Sequence, residues 1–241
     1  MIKFFRNIRQ KLLSENKFSK YLLYAIGEIV LVVIGILIAL QINNWNEYQK
    51  ERKVEIEILK EIQNNLNQDI INLNTKIDET DNSSMANKKV LEHLKNKTPL
   101  SDSLKKSYAL LGSFGTFRPI TAGYENLKSK GVDIIQNKEL RNAITKLYDF
   151  QYFYFVEDLI YAIDDFRSDK SSYVNDKVFW EENVRNYSAQ PINLEALYND
   201  DTFKGYLSSS IVLQNWMKIR RSAGIQQINE VIQLIENELK K

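Results

Sequence analysis

Apolar residues dominate one long stretch near the start of the chain, from Tyr21 to Ile42, where Glu28 is the single charged residue. An α-helix rises about 1.5 Å per residue, so roughly 20 residues cross the hydrocarbon core of a bilayer, which is about 30 Å thick. This pattern predicts a transmembrane helix over residues 21–42. A cleaved signal peptide is the alternative, although its apolar run is usually about 7–15 residues long and no A-x-A-like cleavage site follows this stretch.

Beyond this stretch, apolar residues recur every three or four positions through residues 43–80, which predicts a long amphipathic juxtamembrane helix. Neither Gly nor Pro interrupts the chain from Asn43 to Asp78. We therefore expect one continuous helix from the membrane span through at least Ile70. The polar run Asp78–Ser84 is either a break in this helix or its most polar turn, and the pattern leaves both open.

Residues 81–241 also follow helical periodicity, with no alternating strand pattern that outweighs it. Asn137 is expected to cap a long helix that ends near Arg167. Aromatic and apolar residues cover nearly every face of this helix, so we expect a set of them to form the core: Phe150, Tyr154, Phe155 and Leu159. We also expect residues 171–186 to be helical and a last long helix to begin at Asp201.

The predicted fold class is therefore all-α, with one N-terminal transmembrane helix that continues into an extracytoplasmic bundle of long helices. The bundle, residues 81–241, is expected to pack with the juxtamembrane helix of residues 43–80.

The formal net charge of +2 is unevenly distributed along the chain. Six basic residues and one acidic residue precede the apolar stretch, whereas both signs balance just after it. Positive residues stay on the cytoplasmic side, so we expect residues 1–20 inside the cell and residues from about Asn43 onward outside. The tail of residues 1–20 has the basic amphipathic pattern of a helix that lies on membrane lipid. The basic excess is thus a topology signal, and we expect no nucleic-acid partner.

Residue types that carry chemistry are scarce. The chain has no cysteine and one histidine, which excludes disulfides, thiolate metal sites and Cys–His catalysis. The histidine, His93, lies in a strongly charged segment, so we expect it to be a solvated surface residue. We therefore predict no catalytic residue, no cofactor and no metal site, and a protein that is not an enzyme.

Paired acidic residues are the remaining candidates for a site in the extracytoplasmic part. Neighbouring residues point about 100° apart on a helix and do not converge on one substrate. Asp158 and Asp165 differ, because a spacing of seven places them on one face of the aromatic-rich helix. We predict a ligand or partner face at these two residues.

Glu28 is the most unusual residue of the apolar stretch, because it lies about 10 Å along the helix from Tyr21 and a carboxylate is costly at that depth. Gly35 and Ala39 lie within about 20° of Glu28 around the helix, and such a pair of small residues permits close helix approach. We predict that Glu28, Gly35 and Ala39 contact another helix, in a homo-oligomer or with another membrane protein. A protonated or snorkelling Glu28 on a lone helix is the alternative.

Two segments resemble a large family of uncharacterised bacterial membrane proteins that is frequent in Bacteroidota and classified only as a domain of unknown function. They are GEIVLVVIGILIALQINNWNE, which starts at Gly27, and TAGYENLKSKGVDIIQNKELRNAITKLY, which starts at Thr121. The resemblance implies a single-pass topology and a helical external region. It implies no activity, cofactor or catalytic residue.

These observations predict a non-catalytic assembly or interaction module in the bacterial inner membrane, with a cytoplasmic N-terminus and a periplasmic C-terminal domain. Its expected partners are membrane lipid and a second membrane helix. The alternative is a periplasmic ligand-binding sensor module that signals through a membrane partner. An enzyme with an unrecognised carboxylate site ranks third.

Overall fold

The computed structural model describes residues 18–181 and 187–241, and it describes only the backbone of residues 18, 20, 21 and 169–173. The predicted amphipathic tail therefore lies almost entirely outside the described residues. Residues 182–186 lie wholly outside the described residues.

Most of the described chain is helical, with irregular connections and one small antiparallel pair of strands. Its α-helices are α1 (Phe18–Asn96), α2 (Asp102–Ala109), α3 (Ala122–Lys130), α4 (Lys138–Lys146), α5 (Asp158–Asn175), α6 (Leu194–Tyr198) and α7 (Asp201–Leu239). A 3₁₀ turn covers Val132–Ile134, and two π-helical segments, Leu147–Gln151 and Phe153–Glu157, join α4 to α5. The strands are β1 (Val178–Trp180) and β2 (Ala189–Pro191). The predicted all-α class is confirmed.

Helix α1 confirms the predicted continuity past Ile70 and extends it to Asn96. The polar run Asp78–Ser84 is a turn of this one helix, since no Gly or Pro interrupts its backbone hydrogen bonds. The helix ends where Lys97 adopts a positive φ of 50°. Pro99 follows two residues later, and the residue before a proline disfavours helical geometry.

The chain divides into two compact units, Met1–Glu55 and Ile56–Lys241, and α1 contributes to both. In the first unit, the apolar side chains from Leu22 to Ile42 are exposed. An 18-residue window of this helix has a mean hydropathy of 2.7, and none of it is buried. The segment is thus long and apolar enough to cross a membrane, a property that signal sequences share.

The second unit is organised around the pairing of α1 with α7. Hydrogen bonds along both helices join them, among them Gln63 with Glu236, Thr80 with Arg221, and Asn87 with Gln214. Residue numbers rise along α1 as they fall along α7, so the two helices are antiparallel. Fully buried side chains of both helices contribute to the core of this unit: Leu59, Ile62, Leu66, Leu73, Phe203, Leu207, Met217 and Ile228.

The helical stretch from Lys138 to Asn175 begins as predicted. The side chain of Asn137 accepts hydrogen bonds from the backbone N–H groups of Glu139 and Leu140, which satisfies two otherwise unpaired donors. Its core-facing residues were predicted only in part. Phe155 and Leu159 are buried, whereas Phe150 is 56% exposed and Tyr154 is 40% exposed.

The π-helical segments explain this error. Their hydrogen bonds span five residues instead of four, so each turn holds more residues and the inward face shifts relative to ordinary helical spacing. The inward positions in this region become Tyr152, Phe155, Val156 and Leu159. Phe150 and Tyr154 therefore lie on the surface.

The prediction of helix over residues 171–186 is also wrong for residues 176–181, because α5 ends at Asn175, and residues 182–186 lie outside the described residues. Val178–Trp180 pairs antiparallel with Ala189–Pro191, with Phe179 opposite Gln190. Strand β1 is β-branched and aromatic, a composition that favours extended backbone. Val178 and Ala189 are buried in a core cluster with Tyr108, Leu197 and Phe203, so tertiary packing fixes this short pair.

Candidate functional site

The predicted membrane contact face lies entirely in the first unit. Leu23, Tyr24, Gly27, Glu28 and Leu31 line a shallow groove along α1, and Gly35 and Ala39 continue the same side of the helix. A Cβ atom placed on Gly35 would meet no atom within 4 Å. The helix surface at Gly35 is therefore open in a single chain, and the role of Glu28, Gly35 and Ala39 in helix contact stays a prediction.

Asp158 and Asp165 do not converge on a cavity in the described part of the chain. The Asp158 carboxylate lies 3.8 Å from the Arg220 guanidinium, which also lies 5.1 Å from the ring centroid of Trp216. Asp165 is exposed to solvent on the same helix. The structure thus places Asp158 in a surface ion pair, and the predicted ligand or partner face is not tested by these contacts.

His93 is buried, with 3% of its surface exposed, so the prediction of a solvated residue is wrong. Its Nδ1 lies 2.9 Å from the Thr98 hydroxyl, and its ring contacts the rings of Tyr108 and Tyr198. Burial lowers the pKa of His93 below 6.5. The sequence held a signal for this position, because His93 follows Val90 by three residues on the inward stripe of α1.

Sequence reasoning missed a row of buried polar residues on α1. Two residues of this row, Asp69 and Ser83, bond to the irregular segment from Leu110 to Ile120, which we name the 110–120 segment. Buried backbone groups need hydrogen-bond partners, and the irregular segment pairs few of them within its own backbone, such as the Ser113 N–H with the Leu110 carbonyl at 3.2 Å. Four side chains of the two long helices supply them instead: Asp69, Ser83, Gln214 and Arg221.

These contacts occur along the whole 110–120 segment. Ser83 donates to the carbonyls of Leu110 and Ser113, at 3.0 and 2.9 Å. Gln214 donates to the Ser83 hydroxyl at 2.8 Å, so the two helices hold the segment jointly. The polar stripe of α1 is therefore structural.

Arg221 is the largest of these buried groups, with 1% of its surface exposed. Its Nη1 donates to the Lys76 carbonyl and the Thr80 hydroxyl, at 3.0 and 2.7 Å, and its Nη2 donates to the Gly115 carbonyl. Burial lowers the pKa of Arg221 to about 10, so it stays charged at neutral pH. A buried cation held by neutral oxygens fixes the segment against α1.

Asp69 holds the other end of the 110–120 segment. Its carboxylate is fully buried, accepts a hydrogen bond from the Ile120 N–H at 3.0 Å and accepts one from the Tyr152 hydroxyl at 2.6 Å. Burial raises the pKa of Asp69 to about 6, although both hydrogen bonds oppose this rise. The hydroxyl of the neighbouring Tyr148 is buried without a partner among the described residues.

A cavity of about 140 Å³ lies beside the 110–120 segment, in the second unit. Its lining combines apolar and aromatic side chains with a few polar groups: Leu111, Gly112, Phe114, Phe166, Arg167, Val174, Asn175, Trp180 and Tyr206. The residues come from the segment, from α5, from β1 and from α7. Small-molecule sites typically have this combination of apolar walls and a few polar groups.

Comparison with known proteins gives one family. A model described as a family of unknown function, DUF6090, matches residues 28–196. No curated protein and no solved structure matches the chain. The matched range includes Glu28, Gly35, Ala39, Asp69, the 110–120 segment and most of the cavity lining, and it covers well over half of the sequence. The chain therefore belongs to the DUF6090 family.

Proposed function

We propose that this chain is a membrane-anchored, non-catalytic assembly or interaction module. One observation carries the proposal: apolar side chains from Leu22 to Ile42 are exposed on every side of the helix. Exposure of apolar surface to water costs about 25 cal/mol per Å², and a bilayer removes that cost. The exposed segment belongs to the same uninterrupted helix that supplies core residues to the second unit.

The orientation and compartment are part of this proposal. Basic residues are concentrated before the span, which favours a cytoplasmic N-terminus. The resemblance to bacterial membrane proteins favours the inner membrane, with the second unit in the periplasm. On the cytoplasmic side, the basic tail meets anionic lipid.

The Glu28, Gly35 and Ala39 face is the proposed contact with a second membrane helix, from another copy of this chain or from another membrane protein. A carboxylate at that depth costs about 2.5–3.5 kcal/mol on insertion scales. Protonation, or a polar group on a neighbouring helix, reduces this cost. The open space at Gly35 lets a neighbouring helix approach closely.

Crosslinking in native membranes, followed by mass spectrometry, tests this contact. We expect Gly35→Ile to abolish the captured complex by steric exclusion, and Glu28→Leu to abolish it while preserving membrane insertion. Val33→Ile is the matched control, because it adds bulk on the opposite side of the helix and should leave the complex intact. Wild-type crosslinks in both Gly35→Ile and Glu28→Leu would contradict assembly through this face.

The second candidate function is a periplasmic ligand-binding sensor module. The cavity beside the 110–120 segment favours it, because that segment is held by both long helices. A ligand in the cavity would touch the 110–120 segment and α7 together. The test is direct binding to the second unit, and the chemistry of the ligand is argued next.

A further inference from the structure

The cavity beside the 110–120 segment has an aromatic frame. The rings of Phe114 and Phe166 meet edge to face, with centroids 5.5 Å apart, and Phe166 lies 5.5 Å from Tyr206. Trp180 of β1 forms another part of the lining. These side chains come from four separate elements, so the cavity belongs to the tertiary fold and has a fixed shape.

Gly112 keeps one side of the cavity open. Its φ is +71°, a backbone conformation that favours glycine. A Cβ atom at this position would lie 3.2 Å from the Tyr206 hydroxyl. Any side chain here would therefore occupy the space above that hydroxyl, and glycine leaves the hydroxyl accessible from the cavity.

The charge in the cavity lining is positive. The Arg167 guanidinium lies 5.8 Å from the Phe114 ring centroid, an arrangement that holds it beside the aromatic frame. Among the described residues, no carboxylate lies within ion-pair distance of Arg167. Burial raises the pKa of Tyr206, and a hydrogen bond with Ser210 and the charge of Arg167 oppose this rise. Arg167 and Tyr206 both line the cavity.

The volume limits the ligand. A cavity of about 140 Å³ is close in size to an engineered apolar cavity of about 150 Å³ that binds benzene. One six-membered ring, or a branched chain of similar bulk, therefore fits between the aromatic walls. A guanidinium, a hydroxyl and the Asn175 amide add donors at the polar side, and these groups suit an anionic oxygen acid.

We propose that this cavity binds a small organic carboxylate with a flat apolar body about the size of benzoate. The ring occupies the space between Phe114, Phe166 and Trp180. The carboxylate accepts hydrogen bonds from Arg167 and the Tyr206 hydroxyl. This inference rests on the second candidate function, whose ligand class it names, and it is independent of membrane assembly through Glu28.

Binding of benzoate to the full chain in lipid nanodiscs tests the proposal, with empty nanodiscs subtracted. Fluorine NMR of 4-fluorobenzoate reports occupancy directly, and calorimetry with benzoate gives the affinity. Benzyl alcohol and benzylamine have the same ring with a neutral or a cationic group. We expect benzoate to bind at least about 10-fold more tightly than benzyl alcohol, since hydrogen bonds to charged groups are the stronger ones. We expect no binding of benzylamine.

Arg167→Gln removes the charge from an exposed side chain and should leave the fold intact, as circular dichroism would verify. We expect it to weaken benzoate binding about 10-fold or more and to leave benzyl alcohol binding unchanged. Arg167→Lys should recover part of the loss, because it restores the charge without the planar guanidinium. Arg220→Gln is the matched control: Arg220 also lies beside aromatic rings, but it does not line the cavity, so benzoate affinity should not change.

No benzoate binding, equal affinity for all three probes, or unchanged affinity in Arg167→Gln would each overturn the carboxylate site. None of these results would alter the crosslinking of the Glu28 face. Failure of the ligand inference and failure of the assembly proposal are therefore distinguishable.

Discussion

Asp69 shows how a single buried residue links folding to pH. Its carboxylate holds the Ile120 end of the 110–120 segment, and burial raises its pKa from 3.8 to about 6. The group binds its proton more tightly in the folded protein than in the unfolded one. It therefore contributes stability that is fully present below about pH 3.8 and is lost as the pH rises through about 6.

We expect Asp69→Asn to abolish this part of the pH dependence. A shift of about two pKa units corresponds to roughly 3 kcal/mol at most, so the free energy of unfolding of the wild type should fall by up to that amount between about pH 4 and pH 6. The variant should lack this fall, because an amide does not titrate. Denaturant unfolding of the full chain in detergent at several pH values measures the difference.

His93 provides an internal control with the opposite sign. Its lowered pKa contributes stability that is present above pH 6.5 and is lost as the pH falls through its folded-state pKa. In His93→Gln, the free energy of unfolding should therefore lack the fall toward low pH that His93 causes. Asp69→Asn should lack the opposite fall, the one toward higher pH. Identical pH profiles of the wild type and Asp69→Asn would show that Asp69 titrates normally.

At the scale of elements, the limits of sequence reasoning are clearest in the helical stretch from Lys138 to Asn175. The Asn137 cap and the burial of Phe155 and Leu159 follow from composition and spacing, and the structure has them. Two consecutive π-helical segments do not follow, because periodicity arguments assume ordinary helical turns. The exposure of Phe150 and Tyr154 results from that altered register. The cavity and the hydrogen bonds that hold the 110–120 segment were also beyond prediction, since they depend on contacts between residues far apart in the chain.

Truncation of two phenylalanines tests the observed register. Phe155→Ala should reduce the free energy of unfolding by about 3–5 kcal/mol, because it leaves a cavity in the core. Phe150→Ala is the matched control at an exposed position, and it should change stability by no more than about 0.5 kcal/mol. Denaturant unfolding of both variants gives the comparison. Similar losses in the two variants would contradict the π-helical register.

Glycines in α7 test its packing against the same stretch. A Cβ atom on Gly224 would lie 2.6 Å from Cγ of Phe155, whereas one on Gly205 would meet nothing within 4 Å. We therefore expect Gly224→Ala to destabilise the protein by about 1–3 kcal/mol through overpacking. Gly205→Ala should stabilise it by up to about 1 kcal/mol, because alanine favours the helix. The same unfolding measurement applies, and equal effects of both substitutions would mean that Phe155 does not pack on Gly224.

At the scale of the whole molecule, the pattern of apolar residues predicted most of the architecture. The apolar stretch, the absence of helix breakers and the inward stripe each follow from local sequence, and α1 joins all three in one helix. Membrane insertion is a proposal at this scale, because a signal sequence near the N-terminus can also form an apolar helix of this kind.

Two measurements on the full chain in bacterial membranes separate these outcomes. We expect a reporter fused after Lys241 to be silent if it works only in the cytoplasm and active if it works only in the periplasm, because the basic residues before the span hold the N-terminus inside. We also expect the intact mass to include Met1–Ile42, because the apolar run is long for a signal peptide and lacks a small-residue cleavage site.

Reversal of basic residues in the tail, with Arg6→Glu and Arg9→Glu, should reduce the fraction of correctly oriented chains. An active cytoplasmic reporter on the wild type would reverse the orientation, and a mature chain that lacks the apolar stretch would replace the anchor with a signal peptide.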